Sequence, residues 1–153
     1  MDSSIEVNRR TLLLSAGGAV AITVSPLKAF AAQEDLELAR RDLFGDRLVA
    51  DGRVTIKLPP IAENGYSVPL MVSVDSPMTP DDYVKQIAIL SPRNPLPKIA
   101  QFHLTPRSGK AVVSTRIRMS GTQSILAIAE MSDGSLWSGS MQTVVTLAAC
   151  VVL

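Results

Sequence analysis

The chain has 153 residues, of which 46% are hydrophobic and 19% charged, so it is long enough for one buried core and short for two domains. Its 15 basic and 14 acidic side chains give a formal charge of +1, which provides no general attraction for nucleic acid or an anionic membrane. Aromatic residues make up only 4%, which argues against stacking platforms for single strands. We therefore expect one globular domain with no nucleic-acid and no membrane partner.

Residues 1–31 are predicted to be an export signal and not part of the fold. Arg9 and Arg10 precede an apolar run at residues 12–24, and an A-x-A cleavage pattern ends at Ala31. The apolar run is shorter than the roughly 18 to 20 residues that a membrane-spanning helix needs. The arrangement is typical of a twin-arginine signal that is cleaved after Ala31, and it predicts export to the periplasm.

Residues 33–45 predict a short amino-terminal helix. Glu34 and Asp35 stand near its start, Arg41 stands near its end and Gly45 provides a stop, which is the order that the helix dipole favours. Because the leucines of this segment do not form one stripe, we expect a short helix whose charges are solvated.

The pattern then changes to a period of two. Val54, Ile56 and Leu58 alternate with polar residues, which is typical of a half-buried strand, and Pro59 ends the run. In the next apolar run, Pro69 predicts an edge position or a bulge, because proline cannot donate a ladder hydrogen bond.

Several further strand patterns are separated by turns rich in Gly, Pro, Asn and Asp. They lie at residues 68–74, 83–90, 98–105, 111–119, 124–131 and 142–147. Seven or eight short strands with little helix predict an all-β fold, an immunoglobulin-like antiparallel β-sandwich that occupies residues 32–147.

The residues that could form a catalytic or metal site do not combine into one. The single histidine, His103, is predicted on the more polar face of its strand, which favours a surface or partner-facing position. Asp75, Asp81 and Asp82 lie among Ser, Thr and Pro and are interpreted as turn formers. Trp137 is predicted to be a core or interface residue. A structural zinc site needs about four ligands, so we predict no metal and no catalytic residues.

The only cysteine, Cys150, lies three residues before the carboxyl end. An unpaired thiol in an exported protein suggests either intermolecular pairing or a deliberately reactive group, while a buried and inert cysteine is the alternative. Residues 143–153 contain no Lys, Arg or His that would activate the thiol. The pattern therefore favours a carrier whose Cys150 is modified by other proteins.

Ordered segments along essentially the whole mature chain resemble the SoxY family, the sulfur-carrier subunits of the bacterial thiosulfate-oxidising system. The similar segments are residues 73–79, 82–84, 94–97, 102–103, 113–118, 121–123 and 129–137. The twin-arginine signal is part of the resemblance.

The resemblance implies a periplasmic sandwich that pairs with a second small β-sandwich subunit similar to SoxZ and is not itself an enzyme. It implies that sulfur intermediates are bound covalently to Cys150, with no other cofactor. A haem-containing enzyme would join thiosulfate to the cysteine, a hydrolase would release sulfate, and a sulfane dehydrogenase would oxidise the remaining sulfur.

The resemblance also implies that residues 148–153 form a carrier arm. In the family the arm reads Gly-Gly-Cys-Gly-Gly, but here the residues on either side of the cysteine are Ala148, Ala149, Val151 and Val152. Alanine and valine restrict the backbone more than glycine does. Three interpretations stay open: a divergent carrier with a stiffer arm, a paralogue whose thiol is not loaded, and a structural or binding sandwich that uses its apolar tail.

Overall fold

A computed structural model describes residues 27–149, with side chains from Gln33 onward. Within this part, one helix precedes nine strands, and a short 3-10 turn (Pro106–Ser108) lies between the sixth and seventh strands. The elements are α1 (Leu27–Phe44), β1 (Val49–Asp51), β2 (Val54–Lys57), β3 (Ile61–Asn64), β4 (Val68–Val74), β5 (Val84–Leu90), β6 (Lys98–His103), β7 (Val112–Ile117), β8 (Gln123–Met131) and β9 (Leu136–Leu147).

The strands form two sheets. The large sheet has the order β1-β9-β8-β5-β6, with β3 also paired to β9, and the small sheet has the order β2-β4-β7. The predicted all-β sandwich is confirmed. The expectation of a purely antiparallel arrangement is wrong at β1 and β3, which run parallel to β9. These two short strands satisfy backbone groups along the edge of β9 that faces away from β8.

The main core lies between the two sheets and follows from alternation along the strands. In β4, Val68, Leu70, Val72 and Val74 are buried, while the side chains between them are exposed or half-buried. The inner face of the large sheet contributes fully buried residues such as Ile87, and burying one such side chain stabilises the fold by about 1.5 to 3 kcal/mol. Alternation of apolar and polar residues, the pattern found in the sequence at residues 53–58, therefore determines which side chains form this core.

A second, smaller apolar cluster lies on the outer face of the large sheet, beneath α1. Phe44 and Leu36 of the helix pack toward Ala88, Leu90 and Ile128. The helix thereby covers part of β5 and β8, which explains why residues 87–90 are buried on both faces of the sheet.

The helix is longer than predicted. It begins at Leu27 instead of residue 33, and it ends at Phe44, where Gly45 adopts φ 68° and donates its N–H to the Arg41 carbonyl oxygen over 2.7 Å. Because of the earlier start, the acidic residues predicted for the first turn lie further along the helix. Residues 27–31 of the predicted export signal belong to α1, and the rest of that signal lies outside the described residues.

No helix in the described part of the chain has both the length and the hydrophobicity needed to span a bilayer.

Two strands, β1 and β3, were not predicted, and β9 begins at Leu136 instead of residue 142. The other strands lie within two residues of the predicted ranges at each end. The additional part of β9 contains Gly139, which lies in close contact with β2: a Cβ atom at this position would overlap the carbonyl oxygen of Val54. Glycine is thus the residue that lets these two strands pack across the core.

Pro69 lies in β4, which is the central strand of the small sheet and not an edge strand. The proline is tolerated because β2 pairs with β4 only from Met71 to Val74. At Pro69 the only neighbouring strand is β7, through Arg116. The predicted edge position is therefore found at Pro69 itself, where one side of β4 has no paired strand, and not along the whole of β4.

Trp137 lies near the start of β9 and packs, partly buried, against the main core. Its Nε1 donates to Ser135 Oγ over 3.2 Å, and the Arg53 guanidinium lies 5.2 Å from the centre of its ring. The prediction of a core position is confirmed.

An ion pair fastens the connection between α1 and β1 to the large sheet. Arg47 Nη1 donates to Glu130 Oε1 over 2.9 Å, and Gln86 Nε2 donates to Glu130 Oε2 over 2.6 Å. Burial alone would raise the pKa of Glu130, but the hydrogen bonds from Arg47 and Gln86 outweigh it and lower the pKa below its ordinary value of 4.5.

We predict that Glu130→Gln lowers the free energy of unfolding by about 1 kcal/mol at neutral pH, after allowance for screening at the half-exposed arginine. A lowered pKa in the folded state contributes stability above the unfolded-state pKa, and that stability is lost as the pH falls through the folded-state pKa. The difference between wild type and variant in urea unfolding should therefore narrow as the pH falls below the ordinary glutamate pKa of 4.5. Glu63→Gln, at an exposed carboxylate, is the control; a difference that persists unchanged at low pH would refute this account.

Candidate functional site at the carboxyl-terminal exit

Of the residues predicted for the site, Ala148 and Ala149 lie in the described part, while Cys150, Val151 and Val152 lie outside it. Ala148 is exposed, but Ala149 is only 4% exposed. Because Cys150 follows Ala149 directly, the contacts of residues up to Ala149 define the position from which Cys150 starts.

One edge of the end of β9 is held by the segment around β3. The Val144 N–H donates to the Pro60 carbonyl oxygen over 3.0 Å, and Thr146 Oγ1 donates to the Glu63 carbonyl oxygen over 2.9 Å. β3 continues this support by pairing in parallel as far as Leu147.

At the other edge of β9, a threonine side chain takes the place of a strand. β8 pairs with β9 only as far as Gln123, opposite Thr143. Immediately before it, Thr122 Oγ1 accepts a hydrogen bond from the Val145 N–H over 3.0 Å and donates one to the Val145 carbonyl oxygen over 3.5 Å. A hydroxyl can do both because it is a donor and an acceptor.

Three backbone hydrogen bonds then hold the chain up to the residue before the cysteine. Gly65 donates its N–H to the Leu147 carbonyl oxygen over 2.8 Å, and its own carbonyl oxygen accepts from the Met119 N–H over 2.8 Å. The Met119 carbonyl oxygen accepts from the Ala149 N–H over 3.0 Å. We call Gly65, Met119, Leu147 and Ala149 the exit anchor.

Glycine is required at position 65 because three segments meet there. A Cβ atom would overlap the Met119 carbonyl oxygen and would lie 2.8 Å from the Ala149 nitrogen. Asn followed by Gly is a local turn signal, and the Tyr66 N–H donates to Asn64 Oδ1 over 2.7 Å. The close approach to the end of the chain has no comparable sequence signal.

Asn94 fixes both neighbours of Met119. Its Nδ2 donates to the Arg118 carbonyl oxygen over 2.8 Å, and its Oδ1 accepts from the Ser120 N–H over 3.1 Å and from Gln123 Nε2 over 3.2 Å. The proline-rich loop of residues 91–97 therefore determines where the Met119 carbonyl oxygen points. The prolines of this loop mark a turn-rich segment in the sequence, but its role here depends on contacts between residues far apart in the chain.

The loop itself is held by a buried polar pair. Ser91 is fully buried and donates its hydroxyl to Gln123 Oε1 over 2.5 Å, and the Arg93 N–H donates to the same oxygen over 3.1 Å. Buried polar groups that are fully hydrogen-bonded make a rigid support. The exit anchor is thus supported by a connected network and not by isolated contacts.

Charge is distributed unevenly between the two ends of the sandwich. We define the exit end as the end that carries the exit anchor and the neighbouring strand termini and turns. Its charged residues are Lys57, Glu63, Arg93, Lys98, Arg116 and Arg118. Five are basic and one is acidic, and in the described part none of these side chains forms an ion pair.

Acidic residues predominate at the opposite end. They are Asp46, Asp51, Asp75, Asp81, Asp82, Glu130 and Asp133, against the basic residues Arg47, Arg53, Lys85, Arg107 and Lys110. The exit end is therefore electropositive relative to the rest of the sandwich, a field that favours anions near the point where the chain emerges.

The other residues considered from the sequence lie away from the exit. His103 is exposed at the end of β6, where it pairs with Gln86, and Gln86 pairs with Glu130 at the end of β8 far from the exit. The loop at Asp82 is held by Thr79, whose N–H donates to the Asp82 carbonyl oxygen over 2.9 Å and whose Oγ1 accepts from the Asp82 N–H over 3.1 Å. Residues 33–149 bring no three metal-binding side chains together.

Comparison with known proteins relates most of the chain to one family. The family described as "Sulfur oxidation protein SoxY" matches residues 40–150, a range that includes Cys150. The sulfur carrier protein SoxY from Chlorobium limicola f thiosulfatophilum is structurally similar, with a TM-score of 0.67 and 28% identity, over 78% of this chain and 99% of that one. No curated protein sequence matches the chain.

Superoxide reductases share the fold at lower identity. The neelaredoxin from Ignicoccus hospitalis has a TM-score of 0.55 and 17% identity over 61% of this chain and 80% of that one. The superoxide reductase from Nanoarchaeum equitans has a TM-score of 0.53 and 11% identity over 62% of this chain and 99% of that one. These likenesses show a common sandwich architecture and nothing about activity.

We predict that Asn94→Ala destabilises the protein by about 2 to 3 kcal/mol, because the Gln123 amide and the Ser120 N–H lose their acceptor. Asn94→Asp keeps the acceptor oxygen and loses only the donor to Arg118, so it should cost about 1 kcal/mol. Urea unfolding of the two variants provides the measurement. Equal losses for both would show that the acceptor does not support the exit.

The electropositive exit predicts a charge preference in the alkylation of Cys150. Arg118→Gln should slow the reaction with anionic iodoacetate by roughly twofold relative to neutral iodoacetamide, since a single exposed charge that is partly screened has only a small effect. Arg107→Gln, at an exposed arginine of the opposite end, should leave the ratio unchanged. An equal effect of both substitutions would contradict a local field at the exit.

Proposed function

The chain belongs to the SoxY family of sulfur oxidation proteins, and from that premise we propose that it is a carrier that holds sulfur intermediates covalently on Cys150. The observation that supports this most directly is the placement of the exit anchor: the chain is held in the sandwich as far as Ala149, and the next residue carries the only thiol. A thiol next to a rigid body can be presented to other proteins.

The carrier chemistry needs one bond to cysteine and an external oxidant. The thiol and thiosulfate form a Cys–S–S–SO3⁻ adduct, releasing one proton and two electrons, and the electrons pass to a haem-containing partner enzyme. Water then cleaves the terminal S–S bond, giving sulfate, one proton and a persulfide that stays on Cys150. A sulfane dehydrogenase then removes six electrons from the outer sulfur, with three water molecules supplying the oxygen atoms of Cys–S–SO3⁻ and seven protons released. Hydrolysis of this adduct gives a second sulfate and one proton and restores the thiol, so the carrier supplies attachment and the partners supply turnover.

The electropositive exit supports this cargo in particular. Thiosulfate and its cysteine adduct are anions, and Arg93, Arg116 and Arg118 lie at the end of the sandwich where the chain emerges. Attraction by these side chains favours the loaded form over the neutral thiol without requiring a closed binding pocket. A purely structural sandwich would have no need for this distribution.

The proposal extends to location and partners. Family membership places the chain in the Sox system, which works through several proteins. We propose that the twin-arginine signal of residues 1–31 directs it to the periplasm, and that a second small β-sandwich subunit similar to SoxZ pairs with it.

We predict that incubation with thiosulfate and the partner enzymes adds mass to the intact chain, and that a thiol reductant removes it. Cys150→Ser should abolish the added mass completely, because the chain has no other cysteine. Binding of the second subunit should be retained by Cys150→Ser, since the substitution replaces only the sulfur atom by oxygen. Added mass that persists in the variant, or no added mass on the wild type, would refute the carrier proposal.

A further inference from the structure

The bonds that hold the end of the chain differ in kind along its length. Val145 is held by the Thr122 side chain and Thr146 by the Glu63 carbonyl oxygen, both within the paired part of β9. Beyond Thr146, Leu147 is still paired with Asn64 of β3 and also accepts the Gly65 N–H, whereas Ala149 is held by its backbone hydrogen bond to Met119. The two residues directly before the cysteine therefore depend on that bond and on the packing of Ala149.

The two alanines before the cysteine are not equivalent. Ala149 is 4% exposed and its N–H is bonded to Met119, whereas Ala148 is exposed. The buried methyl group of Ala149 adds hydrophobic stabilisation to the bond. One backbone hydrogen bond changes the equilibrium between the held and the released chain end by only about fivefold. The exit anchor can therefore open while the sandwich stays folded.

We propose that the exit anchor is a latch that sets how far Cys150 can travel from the sandwich, with Gly65 and Ala149 as its positioning residues. The inference rests on the proposed carrier function, because only a carrier needs its thiol to travel. While the latch is closed, Cys150 is one residue from a held position, roughly 3.8 Å between Cα atoms. When it opens, the chain is free after Leu147, which stays paired with β3, and three residues allow a reach of roughly 10 Å.

The latch has a consequence for the partner enzymes. An enzyme whose reacting group lies at its surface can use the closed state, whereas one whose reacting group lies in a channel needs the open state. The rate with an enzyme whose reacting group lies in a channel is therefore the rate of the open state multiplied by the fraction of molecules that are open. Gly65 and Ala149 would control this fraction without touching the cargo.

Two measurements on the full chain test the latch, and neither uses thiosulfate or a partner enzyme. The first is hydrogen exchange of the Ala149 amide, which reports opening directly. The second is the ratio of two Cys150 alkylation rates, with maleimide attached to a flat solid surface through a short linker and with free N-ethylmaleimide. The ratio reports reach, because the reactivity of the thiol itself cancels.

Ala149→Gly should increase exchange at residue 149 by about tenfold, because it removes the buried methyl group and adds backbone freedom. Ala148→Gly adds only the freedom and should increase it by about threefold. The ratio of the alkylation rate with surface-attached maleimide to the rate with free N-ethylmaleimide should also rise more for Ala149→Gly than for Ala148→Gly. Both variants keep every N–H group and the core, so both should fold.

Gly65→Ala should open the latch further, by about twentyfold, because its Cβ atom would displace Met119 and Ala149 and two bonds would be lost. Gly139→Ala is the matched control: its Cβ atom also overlaps a backbone carbonyl, that of Val54, but nearer the other end of β9. It should destabilise the fold and leave the alkylation ratio unchanged.

The latch is overturned if the Ala149 amide of the wild type exchanges as fast as an unstructured peptide. It is also overturned if Ala148→Gly and Ala149→Gly act equally, or if Gly139→Ala raises the alkylation ratio as much as Gly65→Ala does. A carrier without a latch would fail these tests and still accept sulfur on Cys150, so the two proposals can fail separately.

Discussion

The close approach of three backbone segments at Gly65 is the constraint on which the carboxyl-terminal end of the structure depends. Gly65 bonds to both Leu147 and Met119, and Met119 bonds in turn to Ala149, so the turn after β3, the turn after β7 and the end of β9 are joined at one point. Since β9 belongs to the large sheet and β7 to the small one, the same bonds also connect the two sheets. Only glycine leaves room for this junction.

The rigidity of this junction and the electrostatics around it serve the same end of the molecule. The formal charge of +1 suggests a protein without a charged surface, but the fold separates the charges, gathering basic residues around the exit. Asn94 and the loop that contains it hold the anchor from the other side. In the carrier that we propose, the thiol follows directly on this anchored position, at the end of the sandwich whose basic residues favour anionic sulfur groups.

The sequence predicted the features that depend on local pattern. Alternation at Val54, Ile56 and Leu58 reflects burial on one face of a sheet, and it led to the correct fold class. β3 has no such alternation and forms only because β9 offers it an edge, a contact between residues far apart in sequence. The roles of Thr122 and Asn94 likewise depend on which turns meet, which no local pattern records. The importance of Cys150 came from its being the only cysteine and from family resemblance.

The account depends on other proteins being able to reach the thiol of Cys150 from outside the folded sandwich. The most direct test is alkylation of the native full chain with iodoacetamide, followed by intact mass, beside the same reaction in denaturant. We expect one added group under native conditions, at a rate within roughly tenfold of the denatured rate, as for an accessible cysteine. Addition that occurs only after denaturation would mean that the thiol is enclosed, and it would contradict the carrier function.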